Sequence, residues 1–424
     1  MVADQHQPAQ GVGTIGGTAL GLFLIQTLNA GSLQAKLSST PISENTVGPE
    51  LGQDNLEAGL RAGLVAPPGR PEGGTVKAGY LHLGPPRSGP VRFGRMIAGF
   101  VAAYTPWDTC EVVLTPPPGG RPTWSMLRSA ARRLGAADLA HVQYAPGLWG
   151  GKPWQMGTVL AFRASLRVPL ITTAHDIIPG VPPSTRLAMC WLAARSACLV
   201  VSTETERERV LALGIDAPVE VVPLYVERRG PLPEREEARA ALGLAGRRVV
   251  TLLGFIHPAK GHQLAVEALA RLPDDVVLVL AGGAVAAGEA FLERLRADIR
   301  ERGLEPRVRI TGYLADDELD RWLAASDVGI LPFRDLAASA SLATWLTAGR
   351  PLIVSDVPVL REYAALAPGL MRVVPPGDPG ALAAAIESTA PSGDATRQAA
   401  ALADRFSPER TARRLAEIYA RHVG

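Results

Sequence analysis

RVVTLLGFIHPAKG, residues 248–261, starts with a run, Arg248 to Leu253, that is apolar apart from Arg248 and Thr251 and shows no regular alternation. A strand buried on both faces has this pattern, because helices cover both sides of a parallel sheet. Gly254 breaks the run, and Pro258, Lys260 and Gly261 lead directly into a helical period. Outward from this stretch the same rhythm repeats in both directions. Downstream runs are Val276 to Ala281, Arg307 to Thr311, Val328 to Leu331, Pro351 to Ser355 and Met371 to Val374. Upstream runs are Val76 to Leu83, Cys110 to Thr115, Leu139 to Gln143, Pro169 to Thr173, Cys198 to Ser202 and Val219 to Val222. Segments of helical period lie between them, such as Trp124 to Leu134 and Thr203 to Leu213. A charged, alanine-rich connector over 227–247 separates the two series. The pattern predicts an α/β protein with two Rossmann-like, doubly wound parallel-sheet domains facing a cleft. The first covers 76–226; the second covers 248–424 and ends in a helix near Pro408 to His422. Ligands of such sheets bind beyond the carboxyl ends of the strands, so chemistry is expected there.

The composition narrows the function. With 424 residues the chain has room for two or three domains of roughly 100–200 residues each. A net charge of +2 gives no basic excess, which argues against nucleic acid as a partner. The three cysteines, Cys110, Cys190 and Cys198, are too few and too unevenly spaced for a disulfide framework or a structural zinc site, and a reducing, cytoplasmic setting fits them. Residues 1–75 read differently. Gly11 to Gln34 is uncharged, but its most apolar stretch, Ala19 to Leu28, falls short of the roughly 20 residues of a membrane span. Ala30, Gly31 and Ser32 imitate a cleavage site, yet no Lys or Arg precedes the apolar stretch as a secretory signal requires. With Pro67, Pro68, Gly69 and Pro71 clustered behind it, this region is expected to be a loosely structured extension.

Residues able to carry chemistry fall at the strand ends. The first strand runs into Gly84, Pro85, Pro86, Arg87, Ser88 and Gly89, then a helix with Phe93 and Met96 on its apolar side. Such a turn exposes backbone N–H groups to an anion or a sugar, or is a plain connection. The fourth run places His175 at the cleft mouth, able to donate a hydrogen bond to a sugar hydroxyl or to developing charge. Asp176 then fixes its ring or caps the next helix; the plainer reading is a surface histidine beside a cap. In the second half Gly254 lets the backbone approach a ligand, and Lys260 sets a mobile positive charge beside a helix start. Ser339, Ala340 and Ser341 are small residues ahead of a helix over Leu342 to Ala348, closed by Gly349. Two phosphate-facing helix starts suggest a diphosphate. Glu362 is placed for ligand hydroxyls, or is a first-turn acid that favours the helix dipole.

Taken in order, these pieces resemble the retaining GT-B glycosyltransferases of family four. The resemblance is carried by the Gly84 to Gly89 loop, PLITTAHD (169–176), VEVVPLY (219–225), LGFIHPAKG (253–261), VRITGYL (308–314), ASDVGILP (325–332) and AGRPLIVSD (348–356). It implies a second half that binds a nucleotide-diphosphate sugar and a first half that binds a carbohydrate, lipid-linked or small-molecule acceptor, with Gly84, Arg87, Ser88 and Gly89 as acceptor contacts. It also implies reaction without a metal or other cofactor, and the chain carries no Asp-x-Asp pair. Lys260 matches the family lysine that neutralises the donor diphosphate, and His175 the histidine near the donor sugar. Two departures stand out. Phe255 replaces the family arginine five residues before that lysine, with His257 as a partial substitute, and the family's Glu-x7-Glu pair falls on Leu336 and Thr344. The expected activity is glycosyl transfer. Its rivals are a GT-B shell that binds nucleotide sugar without turnover, and a nucleotide-sugar 2-epimerase. A peripheral contact with the inner membrane face would use Trp124 to Leu134, with Arg128, Arg132 and Arg133 as a basic face; the plainer reading is a core helix with solvated arginines.

Overall fold

Along the first lobe, strands and helices alternate: β1 (Lys77–Leu83), α1 (Gly89–Tyr104), β2 (Asp108–Leu114), α2 (Trp124–Leu134), β3 (Leu139–Tyr144), α3 (Gln155–Ser165), β4 (Leu170–Ala174), α4 (Pro183–Ala193), β5 (Cys198–Val201), α5 (Glu204–Ala212) and β6 (Val219–Val221). The computed structural model describes residues 76–86, 88–117, 120–151, 154–175, 182–227, 229–284, 288–334 and 339–423. The extension expected over 1–75, together with Arg87, Asp176 and Leu336, lies outside the described residues. All pairings in the first sheet are parallel, in the order β2-β1-β3-β4-β5-β6.

The second lobe follows through α6 (Arg235–Ala241), then β7 (Arg248–Leu253), α7 (His262–Leu269), β8 (Val276–Ala281), α8 (Glu289–Glu301), β9 (Val308–Ile310), α9 (Asp316–Ala325), β10 (Val328–Leu331), α10 (Ala340–Ala348), β11 (Leu352–Ser355), α11 (Pro358–Leu366), β12 (Met371–Val374), α12 (Pro379–Ser388), α13 (Gly393–Arg405) and α14 (Pro408–Ala420). Its sheet is also parallel, in the order β12-β11-β10-β7-β8-β9. Strand order reverses between β1 and β3 in one sheet and between β7 and β10 in the other, and doubly wound sheets bind ligands at such points.

Local chemistry starts the helices where the chain leaves each sheet. Thr203 and Glu206 form a reciprocal cap on α5: Glu206 N donates to Thr203 Oγ1 at 3.1 Å and Ser202 N to Glu206 Oε2 at 2.8 Å. Asp378 Oδ1 accepts from Gly380 N and Ala381 N at 2.9 Å, starting α12. Helix α2 buries Leu127, Ala130, Ala131 and Leu134, and leaves Arg128, Arg132 and Arg133 exposed. The buried seam of α1 is Val91, Gly94, Ile97, Ala98 and Val101, whereas Phe93 and Met96 lie beside it and meet Tyr225.

Two segments depart from the domain boundaries expected of the sequence. The 227–247 connector is tied to the second lobe: Arg239 in α6 pairs with Asp327 at 2.6 Å and donates to Ala325 O at 3.0 Å. Helix α14, expected as part of the second domain, packs in the first-lobe core. Tyr419, Leu415 and Ile418 are buried there with Ala78, Tyr80 and Ile97. Tyr419 Oη meets Tyr80 Oη at 2.8 Å and His141 Nδ1 at 2.5 Å, and His141 Nε2 reaches Thr173 Oγ1 at 2.7 Å. Burial pushes the His141 imidazole down to about 3, so it is neutral within this chain of hydrogen bonds. Among the described residues no helix is long and apolar enough to cross a membrane.

Candidate active site

At the second-lobe switch point, three pieces of chain converge because side chains are missing where they would obstruct. Gly254, directly after β7, has φ +136°, and a Cβ there would lie 2.9 Å from Ser341 Oγ and 3.9 Å from Lys260 Nζ. Gly261 lies so close to Pro332 that a Cβ would overlap the carbonyl oxygen of that residue at 2.0 Å. These approaches bring the end of β7, the turn that carries Lys260 and the first turn of α10 into one cluster.

Lys260 closes a 3-10 turn, Pro258–Lys260, just ahead of α7. Its Nζ lies 4.0 Å from the centroid of the Phe333 ring, and among the described residues it has no anionic partner. Burial lowers its pKa to about 8. A mostly buried ammonium held over a ring face, with no carboxylate paired to it among the described residues, is suited to an incoming anion. Ser339 caps α10, Leu342 N donating to its Oγ at 3.3 Å, so the helix starts at Ala340, two residues before the expected Leu342. Among the described residues the N–H groups of Ala340 and Ser341 have no acceptor, which leaves two donors at a helix start beside Lys260.

The other expected donor contacts are placed differently. His257 is exposed, and its Nδ1 accepts from Ala259 N at 3.2 Å, so its ring caps its own turn. Phe255 is exposed, 43% of its surface open. Thr344 donates back into its own helix, to Ala340 O at 3.1 Å. Glu362 does not face this cluster with a free carboxylate. Its two oxygens accept from Glu204 N at 3.0 Å, Thr205 N at 3.1 Å and Thr205 Oγ1 at 3.1 Å in the first lobe. It is the fifth residue of α11, past the first turn, so the first-turn acid expected as the plainer reading is not there either; its partner on α5 was not legible.

At the first-lobe switch point, Gly84 follows β1 with φ +128° and packs on Leu148, 2.9 Å from the position of a Cβ. Ser88 N donates to Pro85 O at 2.9 Å, and its sealed Oγ has no partner among the described residues. Gly89 opens α1 with nothing within 4 Å of a Cβ, as an open ligand approach requires. His175 is the first residue beyond β4, its N–H donating to Tyr144 O at 2.8 Å and its Nε2 2.8 Å from Gln143 Oε1. Burial lowers its pKa to about 4, so the ring is neutral near pH 7. Gln143 and Phe333 were not singled out in the sequence. The available signal for Gln143 was a polar residue inside a strand with every position buried.

A family profile described as "Glycosyl transferases group 1" matches residues 247–390, and one described as "Glycosyl transferase 4-like domain" matches 57–224. The chain belongs to the glycosyl transferase group 1 family. Among curated relatives, it is 31% identical over 261 residues to the D-inositol 3-phosphate glycosyltransferase of Jonesia denitrificans, covering 55% of this chain and 59% of that one. It is 30% identical over 299 residues to the enzyme of the same name from Mycobacterium sp. (strain KMS), covering 66% of this chain and 65% of the relative. The match therefore spans about three fifths to two thirds of these relatives, 59% and 65% of their lengths. Among solved structures, Anabaena HepE in complex with UDP and glucose superposes with a TM-score of 0.67 at 19% identity, over 81% of this family member and 99% of that chain. Sucrose-phosphate synthase from Thermosynechococcus elongatus gives 0.65 at 17% identity, over 82% and 98%. These likenesses establish the GT-B fold of this family member.

Proposed function

We propose that the chain transfers a hexosyl group from a nucleoside-diphosphate sugar to a hydroxyl acceptor, with retention at the anomeric carbon and without a metal. The single observation that carries this reading is the cluster of Lys260, Phe333, Gly254 and the first turn of α10 at the second-lobe switch point. Breaking a sugar–phosphate bond builds negative charge on the departing diphosphate, and preorganised donors aimed at that charge lower the barrier. Lys260 supplies a full positive charge, and Ala340 N and Ser341 N supply oriented dipoles. UDP and UDP-glucose are the ligands named for the similar Anabaena structures, and they support a uridine diphosphate sugar as donor. In the first lobe, His175 would meet the donor sugar and the loop from Gly84 to Gly89 would approach the acceptor. Retention is supported by the family resemblance, and a cytoplasmic place of action by three free cysteines.

A second reading has its own observation. Thr344 occupies one position of the family's glutamate pair and spends its hydroxyl inside its helix, so it offers no carboxylate to a ribose. That favours a protein that binds nucleotide sugar with little turnover. One experiment separates the two: the full chain is incubated with uridine, guanosine and adenosine diphosphate sugars, and free nucleoside diphosphate is measured with and without hydroxyl acceptors. Acceptor-dependent release supports transfer. Binding without release supports the second reading, and an isomerised donor would replace both with epimerisation.

A further inference from the structure

We propose that Gln143 is the positioning residue for His175, holding its imidazole with the proton on Nε2 and with Nδ1 presented as an acceptor to a hydroxyl of the bound sugar. The inference rests on the placement of His175 near the donor sugar given under Proposed function.

The geometry comes from β3 and α1. Gln143 is 3% exposed in a strand buried at every position, and its Oε1 lies 2.8 Å from His175 Nε2. A carboxamide oxygen only accepts, so the ring nitrogen it meets carries the proton. The backbone fixes where that oxygen sits. Gln143 O accepts from Trp149 Nε1 at 3.1 Å, and Gly94 of α1 makes room for the side chain: a Cβ there would lie 2.7 Å from Gln143 Cγ. On its other side the imidazole meets the Phe93 ring edge to face, with centroids 5.5 Å apart at 85°. The backbone N–H of His175 donates to Tyr144 O at 2.8 Å. The ring is thus gripped through its backbone, one nitrogen and one face, and among the described residues Nδ1 has no partner.

The amide nitrogen of Gln143 is sealed from solvent and has no partner among the described residues. An apolar side chain of similar size would fill that volume without stranding an amide, so packing alone does not account for a glutamine. The hydrogen bond to His175 does. With the ring proton already committed to Gln143, the histidine meets a sugar as an acceptor, not as the donor expected from the sequence.

The test uses the full chain labelled with 15N-histidine. Long-range 1H–15N spectra report which nitrogen of each ring is protonated, with H175A assigning the signal. The same proteins are assayed for turnover of UDP-glucose, or of whichever donor the nucleotide-sugar panel yields. The wild type is expected to show the Nε2–H tautomer at His175. Q143L is expected to lose that single tautomer and to lower kcat tenfold or more with little change in donor KM. Q143E keeps an acceptor on Nε2 but adds a negative charge that favours the imidazolium, so its activity returns on the alkaline side, with the acid limb of the profile moved up. The neighbouring titratable groups are His82 with Glu111, His141 with Tyr419, and Tyr225 stacked on Phe93; none is altered in these variants. An Nδ1–H tautomer in the wild type, or an unchanged tautomer and kcat in Q143L, would overturn the proposal while leaving the donor site intact. Unimpaired turnover by H175A would instead overturn the placement of His175, and the proposal with it.

Discussion

Glu362 of the second lobe and Thr205 of the first are joined by two hydrogen bonds to one carboxylate oxygen: Thr205 N and Thr205 Oγ1 both donate to Glu362 Oε2 at 3.1 Å. The other oxygen takes Glu204 N at 3.0 Å. A carboxylate from α11 therefore caps the first turn of α5 across the two sheets, where unpaired N–H groups and the helix dipole favour negative charge.

Glu362→Ala is expected to destabilise the pairing of the lobes by about 1–2 kcal/mol, the scale of charge-assisted hydrogen bonds reduced for partial exposure. Nucleotide-sugar affinity should be nearly unchanged, since the side chain is committed to α5. Urea unfolding and a calorimetric donor titration check both halves, and abolished binding would return Glu362 to the donor site.

Lys260→Met should leave the fold intact, because a flexible apolar chain can still lie on Phe333. Turnover should fall about 10²–10³-fold, the usual loss on removing one preorganised donor to a leaving group. Steady-state kinetics next to a thermal melt would show it; near-normal turnover would remove Lys260 from the mechanism.

The pH dependence of donor binding follows from the same residue. In the free protein, burial lowers the Lys260 pKa to about 8, so its charge is present below that value and is lost as pH rises through it. A bound diphosphate favours the charged form. Affinity should weaken above about pH 8, and binding there should take up a proton. Titrations in two buffers of different ionisation heat measure the uptake; affinity flat to pH 10 would contradict it.

Gly254→Ala should lose donor affinity and destabilise the fold by about 1–3 kcal/mol. The backbone stands at φ +136°, and the new methyl group would meet Ser341 Oγ at 2.9 Å. A crystal structure or a titration in which the variant binds like the parent would show that the approach of these segments is not required.

Tyr419→Phe should destabilise the first lobe by about 1–3 kcal/mol, since His141 Nδ1 and Tyr80 Oη each lose a partner in a buried place. The ring still fills its site, so the loss reads the hydrogen bonds and not a cavity. Chemical unfolding of parent and variant gives the difference directly.

The strands were legible because a parallel strand covered on both faces has to be an apolar run, and that requirement is written locally. Arg248–Leu253, Val276–Ala281 and Val328–Leu331 have the bounds expected of them. The placement of Lys260 and of the small residues from Ser339 to Ser341 beyond strand ends was legible for a related reason, since the apolar runs before them mark where β7 and β10 stop. The stretch from Ser202 to Glu206 likewise carries its helix start in five residues.

Only the tertiary structure decided which faces meet. The sequence puts Glu362 in the segment after β11, but whether it meets a ligand or Thr205 depends on how far the chain carries one lobe toward the other. The pattern of α14 marks an amphipathic helix, yet its apolar stripe is satisfied by the first sheet instead of the second, through Tyr419 and Tyr80, which lie 339 residues apart. Phe333 under Lys260 and Gln143 beside His175 were hidden for the same reason. Hydrophobic period and capping are local properties of a segment, whereas the partner of a buried cation, amide or carboxylate is set by long-range packing that no short stretch of sequence encodes.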